Sequence, residues 1–223
     1  MPVNTRIIVL NTTKVGDKSL VVHALSRELG RRSFITSVGG ASGARRGGGH
    51  SVGMAFWQPL SVLDCEVIEN PKSELWRLHG VSAVYPLTGL RSDMGRSAVC
   101  MFMAEVLYRA VREGAEPGLY DWCEKSILTL DALSGSYANY HLRWLLELAS
   151  AMGFTPSVED LAPFAEEHLR DMAGLLGPYE GALLLPLTGK ARGEIAGALL
   201  DYLSAHLEYR LNIRSLAVLG ELF

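Results

Sequence analysis

The hydrophobic pattern changes its period partway along the chain, and this change limits the fold more than any other feature. Within the first 70 residues, β-branched and aromatic residues cluster in short segments separated by turns, as in β-strands. After about residue 90, apolar residues recur at intervals of three and four, as on one face of a helix. The sequence therefore predicts an α+β protein in which a β domain precedes an all-helical domain.

Four segments carry the strand pattern, and no connection between them has a helical period. Several short strands at this spacing indicate a small closed or nearly closed barrel. We expect the barrel domain to cover residues 1–80 and the helical domain residues 81–223. The four segments are RIIVLNTT, SLVVHALS, RSFITSV and AFWQPLSVLDCEVIE.

Capping residues mark the later helices. Thr188 is the expected cap of a long helix, and Ser215 is the expected cap of a final one. The stretch 153–186 is harder to interpret, because four prolines interrupt it.

The composition favours a folded protein outside the membrane. With 48% hydrophobic and 20% charged residues, the 223-residue chain has enough apolar material for a packed core. No stretch approaches the roughly 20 consecutive apolar residues that a bilayer span needs. We therefore expect a cytoplasmic protein.

The sequence lacks the residue patterns of metal sites and of catalysis. Cys65, Cys100 and Cys123 form no CxxC pair and have no nearby histidine pair, so we expect buried thiols. No HxxxH, GxSxG or GxxxxGK[ST] motif occurs. We expect a protein that is not an enzyme and that uses no metal and no cofactor.

Basic residues concentrate at the start of the chain. The first 60 residues hold eight basic and two acidic side chains, a net charge of +6, although the whole chain carries −3. Chance can produce such clustering, but it also indicates contact with a polyanion, because lysine and arginine bind nucleic-acid phosphates. The residues expected to contact DNA are Arg6, Lys14, Lys18, Arg31, Arg32, Arg45 and Arg46.

Two of these residues lie in a glycine-rich segment. Between Gly39 and Gly53, seven of fifteen residues are glycine and none is acidic. This composition is typical of a loop that brings Arg45 and Arg46 to a nucleic-acid backbone, or of an exposed linker without function.

The β region contains few aromatic residues that could stack on nucleic-acid bases. Phe34, Phe56 and Trp57 are the candidates, and we expect Phe34 and Phe56 to fill the barrel. Binding to the backbone, with weak sequence preference, is therefore the expected mode.

Two arginines in the helical part have apolar neighbours in sequence. Arg143 lies within YHLRWLLEL and Arg214 within LNIRSLAVL. Each can be an ordinary surface ion-pair partner. Alternatively, they flank an apolar groove that receives an acidic peptide with a hydrophobic end, because a planar guanidinium suits a carboxylate.

Taken in order, several segments resemble a known family. The opening IVL with its polar turn and SLVV, the basic glycine loop, and QPLSVLDCEV are similar to RecO, a bacterial family of recombination mediators and DNA repair proteins. AVCMFMAEVLYRAVRE, NYHLRWLLELASAMGF and NIRSLAVLGELF resemble its helices, particularly in the Bacteroidetes forms. The resemblance covers nearly the whole chain and is weakest at residues 155–188.

The resemblance implies an N-terminal OB-fold that binds single- and double-stranded DNA, joined to a helical domain without an active site. It also implies strand annealing, binding to the partner RecR and to the acidic C-terminal tail of single-stranded DNA-binding protein, and help in loading RecA. By position, Arg143 matches a family arginine near the tail-binding pocket. Arg214 matches a basic residue of the terminal helix.

Two features depart from the family pattern. Many members hold zinc through four cysteines, and those ligands are absent here, so we expect no metal. The loop after the third strand is usually more basic, whereas Val38 and Ala41 stand at positions where basic residues are common. DNA affinity should therefore be lower and depend more on the arginines at positions 31, 32, 45 and 46.

Two other classes of function stay open at this point. A protein–protein scaffold would use the barrel to bind a partner protein rather than DNA. An enzyme acting on nucleic acid would need a cluster of carboxylates or a bound metal.

Overall fold

The computed structural model describes residues 2–37, 53–114 and 117–223, and these contain five strands and nine α-helices. The strands are β1 (Val3–Val15), β2 (Ser19–Ser26), β3 (Gly30–Ser37), β4 (Val62–Ile68) and β5 (Trp76–Ala83). The helices are α1 (Thr88–Ser92), α2 (Met94–Ala110), α3 (Pro117–Ala132), α4 (Tyr140–Ala151), α5 (Val158–Leu161), α6 (Leu169–Leu176), α7 (Tyr179–Leu184), α8 (Gly189–Leu207) and α9 (Ser215–Leu222).

The five strands close into a barrel in the order β1-β2-β3-β5-β4. All neighbours are antiparallel except β3 and β5, which run parallel. A five-stranded barrel of this kind is the architecture of the OB-fold. The expected fold class, an OB-like barrel followed by a helical region, is confirmed.

The fifth strand, β5, has no counterpart among the segments that the sequence predicts. Its alternation is broken at Gly80, which has a φ of 58°. The β4–β5 register shifts at the same point, opposite the step from Asp64 to Glu66. A bulge requires this irregular backbone, and it hides the strand period in the sequence.

The barrel core contains aromatic residues at two points. Phe34 is fully buried, as expected. The expectation for Phe56 is wrong, since Phe56 is exposed and its neighbour Trp57 is buried. The reason is local, because Met54–Trp57 forms a 3₁₀ turn in which side chains do not alternate as they do in a strand.

The chain divides into two compact units. The barrel unit comprises Met1–Leu87 and Val111–Glu124. The helical unit comprises Thr88–Ala110 and Lys125–Phe223. The barrel unit therefore includes a segment that is distant in sequence, and helix α3 begins in one unit and ends in the other.

Within the helical unit, α2 packs on α9, and α8 packs on both α4 and α9. The Thr188 hydroxyl accepts a hydrogen bond from the Ala191 N–H, which confirms the expected cap of α8. The expected cap by Ser215 is wrong, because Ser215 is the first residue of α9 and its hydroxyl donates to Glu105. The N–H groups of Arg214 and Ser215 also donate to Glu105, so a carboxylate of α2 caps this helix.

A buried amide ties three elements of the helical unit together. The Asn139 amide nitrogen donates to the carbonyl oxygens of Ala182, Leu183 and Leu185. Its amide oxygen accepts a hydrogen bond from Arg192 Nε at 2.8 Å. Asn139 therefore links the start of α4, the end of α7 and the first turns of α8 in a place that excludes water.

The three cysteines are buried and free, as the sequence predicts. Burial raises the pKa of the Cys100 thiol to about 11 and that of Cys65 to about 12. Within the described ranges, no helix has the length and apolar character that a membrane span requires.

His141 is a buried titratable group whose ring lies beside two other aromatic rings. Its ring meets Phe102 edge-on and stacks on Phe223, with centroids 5.8 and 6.3 Å away. Burial, reinforced by the charge of Arg192, lowers the pKa of His141 to about 3. The folded protein therefore keeps this ring neutral, while the unfolded chain protonates it below its ordinary pKa of about 6.5.

We predict that this difference makes the folded state less stable in acid. Between pH 6.5 and about 3 the unfolded chain binds one proton more at this site, which lowers the free energy of unfolding by about 1.4 kcal/mol per pH unit. In the His141→Phe variant, the free energy of unfolding should depend less steeply on pH over this range. The control His79→Gln, at an exposed site, should keep the wild-type pH dependence. Urea denaturation at several pH values measures both slopes, and equal slopes in His141→Phe and wild type would contradict the prediction.

Candidate nucleic-acid interface

Partly exposed polar side chains collect on the outer face of β2, β3 and β5. Because side chains alternate along a strand, Val22 and Phe34 fill the core while their neighbours point outward. The register places Val21 opposite Ile35 and Ile35 beside Arg77. In OB-folds, the face of strands 2 and 3 and the loops beside it bind oligonucleotides.

A cleft opens on this face where β3 and β5 separate. The two strands pair at only two positions, Phe34 with Trp76 and Ile35 with Arg77. The cleft beyond them has a volume of about 100 Å³. The residues that line it are Ser19, Ile35, Thr36, Ser37, Arg77, Leu78 and His79. Among the described residues this lining offers hydroxyl and basic groups and no carboxylate, which suits an anion. We call it the β3–β5 cleft.

The turn between β1 and β2 lies beside the β3–β5 cleft and carries two exposed lysines. The turn leads into Ser19, which lines the cleft and pairs with Ser37. Lys14 and Lys18 are exposed, and no partner of either ammonium group is found in the part of the chain that the structure describes. One acid, the exposed Asp17, stands in the same turn. Two lysine charges are therefore open to a ligand.

Arg6, by contrast, has acidic partners inside the barrel unit. Its Nε lies 2.9 Å from an oxygen of Asp64, and its Nη1 lies 2.9 Å from an oxygen of Glu124. The hydrogen bond with Asp64 and the two negative charges raise the pKa of Arg6 above its ordinary value. The Tyr85 hydroxyl donates to the same Glu124 oxygen. Arg6 thus holds the segment Val111–Glu124 on the barrel, and its contact with DNA stays a prediction.

Arg31 and Arg32 have different surroundings. The Arg31 guanidinium donates to the carbonyl oxygen of Val111 at 3.0 Å. The Arg32 guanidinium carbon lies over the ring of Trp76, 4.0 Å from its centroid. Both side chains are half-buried. The two adjacent arginines therefore do not form one continuous basic patch.

His23 lies on the same outer face, within hydrogen-bond distance of the Ser33 hydroxyl at 2.7 Å. Burial first, and then the charge of Arg31, lowers the pKa of His23 below its ordinary value. The ring is therefore neutral near pH 7 and adds no positive charge to this face.

Sequence reasoning missed Arg77 and His79. Both lie on β5, which is not among the predicted strand segments, and both line the β3–β5 cleft. The alternation of Trp76 and Leu78 with two basic side chains was the signal that could have found them. Arg45 and Arg46, which sequence reasoning did select, lie outside the described residues.

In the helical unit, the Arg143 side chain has three hydrogen-bond partners. Its Nε lies 2.8 Å from Glu147, and its Nη1 donates to the carbonyl oxygens of Leu175 and Gly177. These carbonyls belong to the end of α6, whose last acceptors need donors from elsewhere. Arg143 is therefore a structural clamp on α6, and a contact with a peptide is an additional role that stays a prediction.

Arg214 is exposed and heads an exposed stripe on α9. Val218 and Leu222 follow it at intervals of four residues and are 42% and 40% exposed. Within the described ranges, the Arg214 guanidinium has no hydrogen-bond or ion-pair partner. Arg143 contacts α6, whereas the main chain of Arg214 contacts Glu105 on α2, so the two arginines share no contacting element.

Clusters of three or more histidine, cysteine or carboxylate side chains that could hold a metal ion are absent from the described residues. The groups that the described residues offer to a ligand here are the cations of Lys14, Lys18 and Arg77, the hydroxyl groups of the cleft, and the Trp76 ring under Arg32.

Comparisons with known proteins agree with this architecture. Residues 1–87 match the family model "Recombination protein O N terminal", and residues 91–163 match "Recombination protein O C terminal". A DNA repair protein RecO from Phocaeicola vulgatus is 36% identical over 184 residues, covering 80% of this chain and 73% of that protein. One from Bacteroides fragilis is 31% identical with 97% of each chain covered, and one from Flavobacterium johnsoniae is 28% identical over the full length of both. The chain therefore belongs to the recombination protein O family.

Proposed function

We propose that this protein is a DNA repair and recombination mediator without catalytic activity, which binds single- and double-stranded DNA through its barrel unit. The observation that carries the proposal is the group of unpaired cations at the β3–β5 cleft. Lys14 and Lys18 stand in the adjacent turn and Arg77 lines the cleft, and the described part of the chain supplies no acidic partner for any of them.

Electrostatics explain why a chain of net charge −3 can still bind DNA. Phosphate contacts release counterions from DNA, and this gain needs only a few cations at the right spacing. Charges farther than about 8–10 Å away are screened at ordinary salt, so acids elsewhere on the surface repel the backbone weakly. Local charge at the cleft therefore matters more than the average.

Family membership supports a wider role for the protein. We infer that the protein anneals complementary strands, works with RecR, binds the acidic C-terminal tail of single-stranded DNA-binding protein, and helps load RecA on strands coated by that protein. Annealing of complementary oligonucleotides by the purified protein tests the first step. If the protein binds no DNA at low salt but still binds RecR, a protein–protein scaffold is the better interpretation.

Removing the three unpaired cations should weaken DNA binding and its dependence on salt. We predict that Lys14→Ala, Lys18→Ala and Arg77→Ala together lower the slope of log affinity against log salt by about 2 for single strands, because each lost phosphate contact removes about 0.7. Fluorescence anisotropy with a labelled oligonucleotide across a salt series measures this slope.

The matched control removes the same charge from the helical unit. Lys125→Ala, Arg170→Ala and Lys190→Ala replace three exposed basic residues and should leave the slope within error of wild type. If both triple variants change the slope equally, the effect belongs to net charge and not to the cleft.

Arg45 and Arg46 provide a separate test of the glycine-rich segment. The double variant Arg45→Ala with Arg46→Ala should weaken binding and reduce the salt slope by about 1.4, because two phosphate contacts are lost. The same anisotropy series measures it. Unchanged affinity would remove this segment from the interface.

For the helical unit, we propose that an acidic peptide with a hydrophobic end binds near Arg143 and Arg214. What supports this is the unpaired Arg214 beside the exposed apolar side chains of Val218 and Leu222. Charge attracts the acidic part of the peptide, and the apolar stripe accepts its end.

We predict that Arg214→Glu and Arg143→Glu each weaken binding of an acidic, Phe-ending peptide at least tenfold while DNA binding by the barrel unit is kept. Isothermal titration calorimetry measures the peptide affinity. Because Arg143 also clamps α6, a thermal melt must accompany that variant. Unchanged peptide affinity in Arg214→Glu, whose side chain is exposed, would refute the assignment of Arg214 whatever Arg143→Glu shows.

A further inference from the structure

The pairing of Arg32 with Trp76 is unlike that of the other arginines on the barrel. Arg6 and Arg27 contact carboxylates, and Arg31 donates to a main-chain carbonyl. The Arg32 guanidinium instead contacts the ring of Trp76, and its Cζ lies 4.0 Å from the ring centroid. In the described part of the chain, its N–H groups have no protein acceptor. Arg32 is therefore held in position while its donors stay open.

The location of this pair follows from the short β3–β5 pairing. β5 begins at Trp76, which lies beside Phe34, so the first half of β3 has no β5 neighbour. Arg32 stands in that half, which pairs with β2 but not with β5, two residues before Phe34. The Trp76 ring also packs against the barrel core, and both side chains are half-buried. The guanidinium therefore lies over a fixed ring and is partly open to solvent.

A guanidinium in this position can bind a base in a way that a lysine cannot. It is planar, its faces are weakly hydrated, and it stacks on aromatic rings, including nucleobases. Because Trp76 already orders the side chain, little conformational entropy is lost when a ligand stacks on it. We propose that Arg32, seated on Trp76, is a stacking site for one unpaired base and gives the barrel unit a preference for single strands.

The proposal rests on the proposed function, because it assumes that the strand lies on the barrel unit. Arg32 and Ser37 are five residues apart on one strand, a span of roughly 17 Å at about 3.3 Å per residue. Sites on OB-folds cover about 4 to 16 nucleotides, so one strand can reach both the stacking site and the β3–β5 cleft. In a duplex the bases are already stacked and paired, so the same contact is closed to them.

The test compares strands that differ only in their bases. An oligothymidine and an abasic strand of the same length carry the same phosphates, and wild-type protein should bind the first about tenfold more tightly. Arg32→Lys keeps the positive charge but lacks the planar guanidinium. In this variant the ratio of the affinity for oligothymidine to the affinity for the abasic strand should fall towards one, while the salt dependence of binding stays unchanged. Arg27→Lys, the same substitution at an exposed arginine paired with Asp121, should keep the wild-type ratio.

A second variant reports on the ring itself. Saturation with oligothymidine should quench part of the tryptophan fluorescence of wild-type protein. In Trp76→Phe this quenching should be absent or much smaller. Thermal melts of both variants separate loss of binding from loss of the fold.

The outcomes distinguish this inference from the proposed function. If wild-type protein binds neither strand at low salt, both fail. If it binds both strands equally, or if Arg32→Lys keeps the wild-type ratio, the stacking site is wrong while phosphate binding by the barrel unit stands.

Discussion

The parallel pairing between β3 and β5 closes the barrel, and the candidate interface depends on how short that pairing is. Only Phe34–Trp76 and Ile35–Arg77 are in register. On one side of these pairs the strands separate and leave the β3–β5 cleft, and on the other side Arg32 covers Trp76. A longer ladder would satisfy the backbone groups of both strands and leave no opening for a ligand. The shortness of the β3–β5 pairing therefore produces both the cleft and the exposed position of Arg32.

Ion pairing then decides which basic residues can act on a ligand. Arg6 and Arg27 meet Asp64, Glu124 and Asp121, and two of these three acids come from the distant segment Val111–Glu124. An arginine already paired with a carboxylate must give up that contact before it can bind a phosphate, and this reduces its net contribution. The lysines of the β1–β2 turn have no such competitor among the described residues. A count of basic residues therefore overstates what Arg6 and Arg27 contribute to DNA binding, because it ignores their acidic partners.

In the helical unit, side chains from other elements complete helix ends that lack local caps. Glu105 of α2 accepts three hydrogen bonds at the start of α9, and Arg143 of α4 donates to the end of α6. The Asn139 amide likewise donates to the carbonyl oxygen of Leu185, directly after α7. Because helix termini leave backbone groups unsatisfied, these polar contacts fix how the helices are arranged. They also explain how Arg143 can be a structural residue whether or not it binds a peptide.

The sequence by itself determined the class of fold, the order of strands before helices and the family, because periodicity and segment order are local properties of the chain. It also located Lys14 and Lys18, two of the three cations assigned to the cleft. Tertiary structure alone decided that β5 exists beside β3, that Arg77 and His79 line the cleft, and that Arg6 is neutralised by Glu124. These facts depend on residues far apart in sequence that meet only when the barrel closes, and no pattern along the chain encodes which carboxylate reaches which arginine.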